Sequence, residues 1–285
     1  MPDPPGKTGV RRRIVIYRHP IAVRATHWVN VLCMAVLLAS GLQIFNAHPA
    51  LYLGRASTFS RPALAITSDQ TADGSGHGRV QVLGGAIETT GVLGVSAGDD
   101  GTPTARGFPR WMTLPGFRDL ALGRRWHLSF AWLFAANLAA LIGYGLISGR
   151  FRRVLAPTWQ DLAHIGPSVW DHLRLKFPQG IEAWRYNVLQ KLSYIAVVGV
   201  LLPLMLASGL AMSPAIDAGA PWLPALLGGR QTARTIHFLS AMSLVLFFAI
   251  HLAMVVLSGP INNLRAIITG RYALYISNED EHDRS

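Results

Sequence analysis

Long apolar stretches separated by polar segments dominate the residue pattern of this chain. The four longest are residues 28–45, 128–147, 192–212 and 237–257. A helix needs about 20 predominantly apolar residues to cross the hydrocarbon core of a bilayer, and each stretch is close to that length. The pattern predicts an all-α membrane protein, a four-helix transmembrane bundle in up-down-up-down order.

Composition and charge agree with a membrane protein. Charged residues make up 14% of the chain, whereas soluble domains have about 25%. The net charge of +11 comes without a nucleic-acid-binding motif, so it is better explained by basic residues that hold the topology. Sixteen of the 26 Lys and Arg fall in the N-terminus, the 148–191 link and the C-terminal tail. This distribution predicts that both termini are cytoplasmic (N-in/C-in) in a bacterial inner membrane.

The predicted topology divides the chain into three parts. Residues 1–25 form a basic cytoplasmic N-terminus, and the apolar stretch after it is interpreted as a retained span rather than a signal peptide. Residues 26–258 form the membrane domain, which includes a long external insertion at 46–125. Residues 259–285 form a cytoplasmic tail. Residues 54–107 of the insertion are predicted to be loops with short strands such as Val80–Leu83, and 108–119 to lie at the membrane interface.

Histidines in the apolar stretches are the candidate functional residues. His237 and His251 are 14 residues apart, which on a helix places them on one face about 21 Å apart. Imidazoles in a membrane are costly unless they are paired or bind something. By height, His127 pairs with His237 on the outer side and His27 with His251 on the inner side. Two haem irons with two imidazole ligands each fit this arrangement, and they would be haem b because the sequence has no CxxCH motif.

Three further features bear on such a site. Arginines precede the histidines by about one helical turn (Arg24, Arg124, Arg125 and Arg234) and could pair with haem propionates; snorkelling at the ends of the spans is the alternative. The sequence ASGL occurs at 39–42 and again at 207–210. Gly41 could make room for a macrocycle or serve ordinary helix packing. Pro203 should kink the third span.

The sequence also resembles a known family. The segment RHPIAVRATHW at 18–28, the paired histidines of the fourth span and WRYNVLQKLSY at 184–194 are similar to the bacterial cytochrome b561 superfamily. The similarity is strongest to the di-haem cytochrome b subunits of hydrogenase, formate dehydrogenase and thiosulfate reductase. It covers all four spans but not residues 54–107. The resemblance implies a subunit that anchors a peripheral redox enzyme and exchanges electrons with the quinone pool.

The resemblance also implies a quinone site near the inner haem. The family's Tyr-Asn-x-x-Gln-Lys motif matches four residues here: Tyr186, Asn187, Gln190 and Lys191. Such side chains could hydrogen-bond a quinone carbonyl and supply protons. The alternative is a polar helix start with a basic anchor.

The leading hypothesis is an electron-transfer subunit that connects a quinone or quinol to a partner oxidoreductase, which carries out the substrate chemistry. The resemblance favours a periplasmic, molybdenum-dependent partner over hydrogenase. One alternative is a stand-alone cytochrome b561 that oxidises superoxide or another small species with quinone as acceptor. A second is a non-redox transporter or anchor, which is disfavoured because the four spans contain no carboxylate for a proton relay.

Overall fold

The computed structural model describes residues 12–70, 76–98, 100–174 and 187–276. The chain divides into two units. The first contains both termini and comprises Met1–His27, Ala140–Gly199 and Leu246–Ser285; we call it the terminal unit. The second comprises Trp28–Ala139 and Val200–Val245 and contains the insertion; we call it the insert unit.

Four helices are long and apolar enough to cross a membrane, as predicted. They are Ile21–Phe45, Leu120–Ile147, Val188–Ala211 and Arg230–Leu257, and we call them the first to fourth spans. Each begins four to eight residues before the apolar stretch that predicted it. The reason is that hydropathy detects the apolar part of a helix, whereas the first turns carry arginines that can reach the membrane surface. His27, His127 and His237 therefore lie inside their helices rather than opening them.

The third span changes its helical type on the way. It is α-helical over Val188–Tyr194, π-helical over Ile195–Leu201 and α-helical again over Leu202–Ala211. Pro203 lies two residues after the π-helical turns. Proline has no N–H, and its ring clashes with the carbonyl four residues before it, so a wider turn at this point relieves both problems.

Eight strands also occur in the described residues, so the all-α expectation was wrong for the parts outside the spans. They are β1 Arg12–Tyr17, β2 Ala50–Leu51, β3 Leu64–Gln70, β4 Gly76–Val82, β5 Gly85–Glu88, β6 Gly94–Ala97, β7 Pro103–Arg106 and β8 Arg271–Ile276. Five of them fall within 54–107, where only short strands among loops were expected.

The insertion folds as an antiparallel sheet in the order β2-β3-β4-β5 with a hairpin of β6 and β7. Leu83 and Gly84 connect β4 to β5 with φ of 47° and 90°, as a tight hairpin turn requires. The sheet has a core in common with the end of the first span, which includes Phe45, Leu51 and Phe108. The insertion is thus packed into a fold of its own strands that shares a core with the first span.

The terminal unit holds the second sheet. β1 pairs with β8 in antiparallel register from Arg12 opposite Ile276 to Tyr17 opposite Arg271. The helix Pro260–Thr269 packs on this sheet through Ala266, which is buried against Tyr272 and Leu274. The segments before and after the four spans therefore meet in one structure, which the sequence did not predict.

Short helices connect the remaining elements. They are Arg110–Met112, Phe151–Leu155, Trp159–Ala163, Ile165–Leu173, Pro214–Gly219 and Trp222–Leu226.

Candidate functional site

His127 and His237 face each other in the insert unit. Their ring centroids are 6.2 Å apart and the ring planes meet at 66°. His127 comes from the second span and His237 from the fourth, so the sequence-predicted outer pair is brought together. Neither ring is paired with a carboxylate among the described salt bridges.

One serine hydroxyl contacts the Nδ1 atom of each ring. Ser40 Oγ is 3.1 Å from His127 Nδ1, and Ser208 Oγ is 3.1 Å from His237 Nδ1. The Met205 carbonyl is also 3.1 Å from His237 Nδ1. The sequence reasoning missed both serines, although they are the second residues of the repeated ASGL segments.

The glycine after each serine lies against the same ring. A Cβ on Gly41 would be 3.3 Å from Cε1 of His127, and a Cβ on Gly209 would be 3.3 Å from Cε1 of His237. The backbone of each helix can approach the imidazole this closely only because the residue has no side chain. Gly41 was expected to make room for a macrocycle or to serve ordinary helix packing, and the structure places it against His127.

The outer pair fits a metal between the rings. A metal bonded to two imidazole nitrogens at about 2.0–2.1 Å separates the ring centres by roughly 6 Å once the rings themselves are included. The observed 6.2 Å matches this value. Two neutral imidazoles on facing helices are the donor set that haem iron uses in electron-transfer proteins.

His27 and His251, the predicted inner pair, both lie in the terminal unit. His27 lies within electrostatic range of His251. The ring of Phe247 stacks on His251 with centroids 5.7 Å apart and planes at 19°. Both imidazoles are partly buried.

Arginines surround the start of the first span in the same unit. His19 is affected by Arg18, Arg24 and Arg150, and burial together with these cations lowers its pKa to about 4. His19 is therefore neutral at pH 7. These surroundings favour the binding of a carboxylate or another anion, because the arginines attract it. The neutral imidazole of His19 adds no further positive charge.

The predicted propionate arginines have different surroundings. Arg24 packs closely beside Gly270, whose Cβ position would be 2.8 Å from Nη1 of Arg24. Arg234 donates a 2.6 Å hydrogen bond to the His48 carbonyl, and its guanidinium lies 5.4 Å from the centre of the Phe45 ring. Arg124 and Arg125 are exposed in the first turns of the second span.

Three of the predicted quinone residues take part in local structure. Asn187 caps the third span by accepting a hydrogen bond from Leu189 N, and Gln190 Oε1 accepts one from Asn187 N. Lys191 Nζ donates to Asp161 Oδ2 at 2.7 Å, and this contact is the largest cause of the lowered pKa of Asp161, which is about 2. Tyr186 lies outside the described residues. The quinone assignment stays a prediction.

Four spanning helices and paired histidines on facing helices define the class of a membrane cytochrome b. Residues 18–270 match the family described as prokaryotic cytochrome b561, and the chain belongs to that family. The family binds haem b, and the chain is accordingly a multi-pass membrane protein of electron transport.

A relative is known in Azospira oryzae, where it is described as a putative protein-methionine-sulfoxide reductase subunit, YedZ1. The two chains are 26% identical over 239 residues, which cover 84% of this chain and 90% of the relative.

Proposed function

We propose that this protein carries electrons from quinol in the bacterial inner membrane to a partner enzyme that reduces methionine sulfoxide in proteins. The observation that carries the proposal is the 6.2 Å separation of the His127 and His237 rings, which suits two axial ligands of one haem iron. The description of the Azospira oryzae relative supports the choice of partner.

The proposed cofactors are two haem b groups. His127 and His237 would hold the outer one, and His27 and His251 the inner one. Haem b supplies one-electron transfer when it is bound with two imidazole ligands. Arg24 and the cations around His19 would hold the inner propionates, and Arg124, Arg125 and Arg234 are the outer candidates.

The overall reaction balances. Oxidation of a quinol releases two electrons and two protons. Reduction of a methionine sulfoxide consumes two electrons and two protons and yields methionine and water. The partner is proposed to be periplasmic and molybdenum-dependent, and to dock on the external insertion; it would carry out the sulfoxide chemistry itself.

The quinol site is proposed near the start of the third span, at Tyr186, Asn187, Gln190 and Lys191. Only part of the hydrogen-bonding capacity of these side chains is used by the cap. Asn187 still has its side-chain N–H₂ group, and Gln190 has its own. Lys191 is 16% exposed beside Asp161, so this pair could pass a proton between the membrane surface and a quinol oxygen.

The first experiment is a haem count on the purified, detergent-solubilised protein, with a dithionite-reduced minus oxidised spectrum. We expect two b-type haems per chain. His237→Ala and His251→Ala should each leave one haem. Two haems retained in both variants would show that the ligand assignment is wrong, and a well-folded protein without haem would contradict the proposed function.

The second experiment separates the electron-transfer subunit from a stand-alone superoxide oxidase. The protein is reduced with a quinol, and an oxidised methionine-containing protein is added with or without a protein-methionine-sulfoxide reductase. We expect rapid haem reoxidation only with the reductase. Haem reduction by superoxide followed by quinone reduction, without any partner, would favour the stand-alone oxidase.

A further inference from the structure

The two ASGL segments perform the same task at the outer histidine pair. Ser40 and Ser208 are both 0% exposed. Each lies 3.1 Å from the Nδ1 atom of one histidine, and each is followed by the glycine that contacts the same ring. The first and third spans thus present equivalent hydroxyl groups to His127 and His237.

The direction of these hydrogen bonds follows from the second contact of each serine. Ser40 Oγ is 2.6 Å from the Val36 carbonyl, and Ser208 Oγ is 2.6 Å from the Leu204 carbonyl. A carbonyl can only accept, so the single hydroxyl proton is donated to it. The serine oxygen is then left with lone pairs toward the ring, and Nδ1 of the histidine must be the donor.

A proton on Nδ1 of a neutral imidazole leaves the lone pair on Nε2. The Met205 carbonyl beside His237 requires the same tautomer, because it too can only accept from Nδ1. Both rings are therefore held in the form that can ligate a metal through Nε2.

Burial distinguishes these two serines from Ser243. Ser243, on the fourth span, makes the same kind of bond to the carbonyl four residues earlier, at 2.9 Å, but is exposed. The bond to the helix backbone therefore does not explain why Ser40 and Ser208 are buried against imidazoles.

We propose that Ser40 and Ser208 are positioning residues that fix the tautomer and orientation of His127 and His237 and tune the reduction potential of the haem held by this pair. The tuning rests on the proposed haem; the tautomer does not. An acceptor on Nδ1–H makes Nε2 a stronger electron donor, which stabilises the ferric state and lowers the potential.

The two serines should contribute similarly. Each ring also has a backbone carbonyl beside it, that of Leu37 for His127 and that of Met205 for His237. We therefore expect Ser40→Ala and Ser208→Ala each to raise the potential of one haem. Ser40→Thr keeps the hydroxyl and should return the potential toward that of the wild type, and Ser243→Ala is the matched control that should change nothing.

The test is an optical redox titration of these variants together with their haem content. An unchanged potential in both alanine variants at full haem content would overturn the proposal. Loss of one haem in Ser40→Ala that is restored in Ser40→Thr would support the proposal. Loss of one haem in both Ser40 variants would overturn it if Ser208→Ala is also indistinguishable from the wild type.

A second measurement does not depend on haem. Nitrogen NMR of ¹⁵N-histidine-labelled, haem-depleted protein reports which ring nitrogen carries the proton. We expect Nδ1–H on His127 and His237 in the wild type. In Ser40→Ala we expect this preference to weaken at His127, where the Leu37 carbonyl is then the remaining acceptor. A proton on Nε2 of both rings in the wild type would overturn the inference, even if the protein binds two haems. A proton on Nδ1 in a protein that never binds haem would refute the proposed function but not the inferred tautomer.

Discussion

The glycines beside the outer histidines should be intolerant of larger residues. A Cβ on Gly41 would already lie 3.3 Å from the His127 ring, so the branched side chain of Gly41→Val must displace that ring. We expect Gly41→Val to lose about half of the haem per chain, because a ligand moved by a fraction of an ångström no longer meets the iron. A pyridine haemochrome assay measures this.

Gly143→Val is the matched control, since a Cβ at Gly143 in the second span meets nothing within 4 Å. Full haem content in Gly41→Val would contradict the proposed role of His127 as a haem ligand. A deficit of equal size in Gly143→Val would instead indicate a general effect of valine on these helices.

Asn187 has a local role that must be separated from quinol binding. Its side-chain oxygen caps the third span, and serine can provide the same cap. We expect Asn187→Ala and Asn187→Ser both to bind two haems and both to react more slowly with quinol, about tenfold in stopped-flow haem reduction. If Asn187→Ser reacts at the wild-type rate, the residue acts only through the cap.

At this scale the sequence was sufficient to predict that His127 and His237 approach each other and insufficient to predict which other residues contact these rings. Helical spacing and height alone predicted that His127 meets His237. The role of Ser40 was not predictable, because a hydroxyl three to four residues from a carbonyl usually bonds only its own helix. Its contact with an imidazole depends on the rotation of two helices, which spacing along one helix does not reveal.

Among the structural elements, Arg106 of the insertion bonds both to the first span and to two other residues of the insertion. Arg106 donates hydrogen bonds to Gln43 Oε1 at 2.6 Å, to the Gly116 carbonyl at 2.6 Å and to Thr113 Oγ1 at 2.7 Å. Arg106→Ala leaves these acceptors without the charged donor, so we expect the insertion to lose about 2–3 kcal/mol of stability.

Limited proteolysis of the insertion measures this effect, with Arg61→Ala as the control because Arg61 is exposed on the same insertion. The haem content should be retained. Equal protease resistance of the wild type and Arg106→Ala would show that the apolar core around Phe45 and Phe108 suffices to hold the insertion.

The start of the third span should respond to acid. Asp161 accepts a hydrogen bond from Lys191 and also forms the capping box of its own helix, Trp159–Ala163, with Thr158; these contacts lower its pKa from 3.8 to about 2. Because the pKa is lower in the folded state, the pair stabilises the fold above pH 4, and this contribution is lost as the pH falls from about 4 to 2.

Asp161→Asn should therefore lower the melting temperature at pH 6 by an amount corresponding to about 1 kcal/mol of stability. It should also remove the part of the loss of stability that occurs between pH 4 and 2. Lys191→Gln completes a double-mutant cycle. Additive effects of the two substitutions would contradict a direct coupling between them.

The spans were predictable because a long apolar stretch is a strong signal. Their ends were not predictable, because arginines continue the helices beyond the apolar stretches.

The strands of the insertion were mostly missed for a physical reason. They are short and rich in glycine, and close crossings of the backbone stabilise them: Gly78 lies so near Leu93 that a Cβ would be 2.0 Å from its carbonyl oxygen. Such a crossing has no periodic sequence pattern.

For the whole molecule, the remaining prediction concerns membrane topology. The pairing of β1 with β8 supports the proposal that both termini lie on one side, as an even number of spans requires. Single cysteines are introduced in a Cys33→Ala background, since Cys33 is the only cysteine in the chain. Thr58→Cys reports on the insertion, and Ile261→Cys, at a position 84% exposed, reports on the C-terminal helix.

In intact spheroplasts we expect a membrane-impermeant maleimide to label Thr58→Cys at once and Ile261→Cys only after permeabilisation. The reverse would place the insertion in the cytoplasm, and a periplasmic partner could not dock on it. Three spans separate Thr58 from Ile261, so the two positions should lie on opposite sides of the membrane. Labelling of both without permeabilisation would contradict this topology. The topology therefore decides which partner enzymes can reach the outer histidine pair, because this pair lies in the same unit as the insertion.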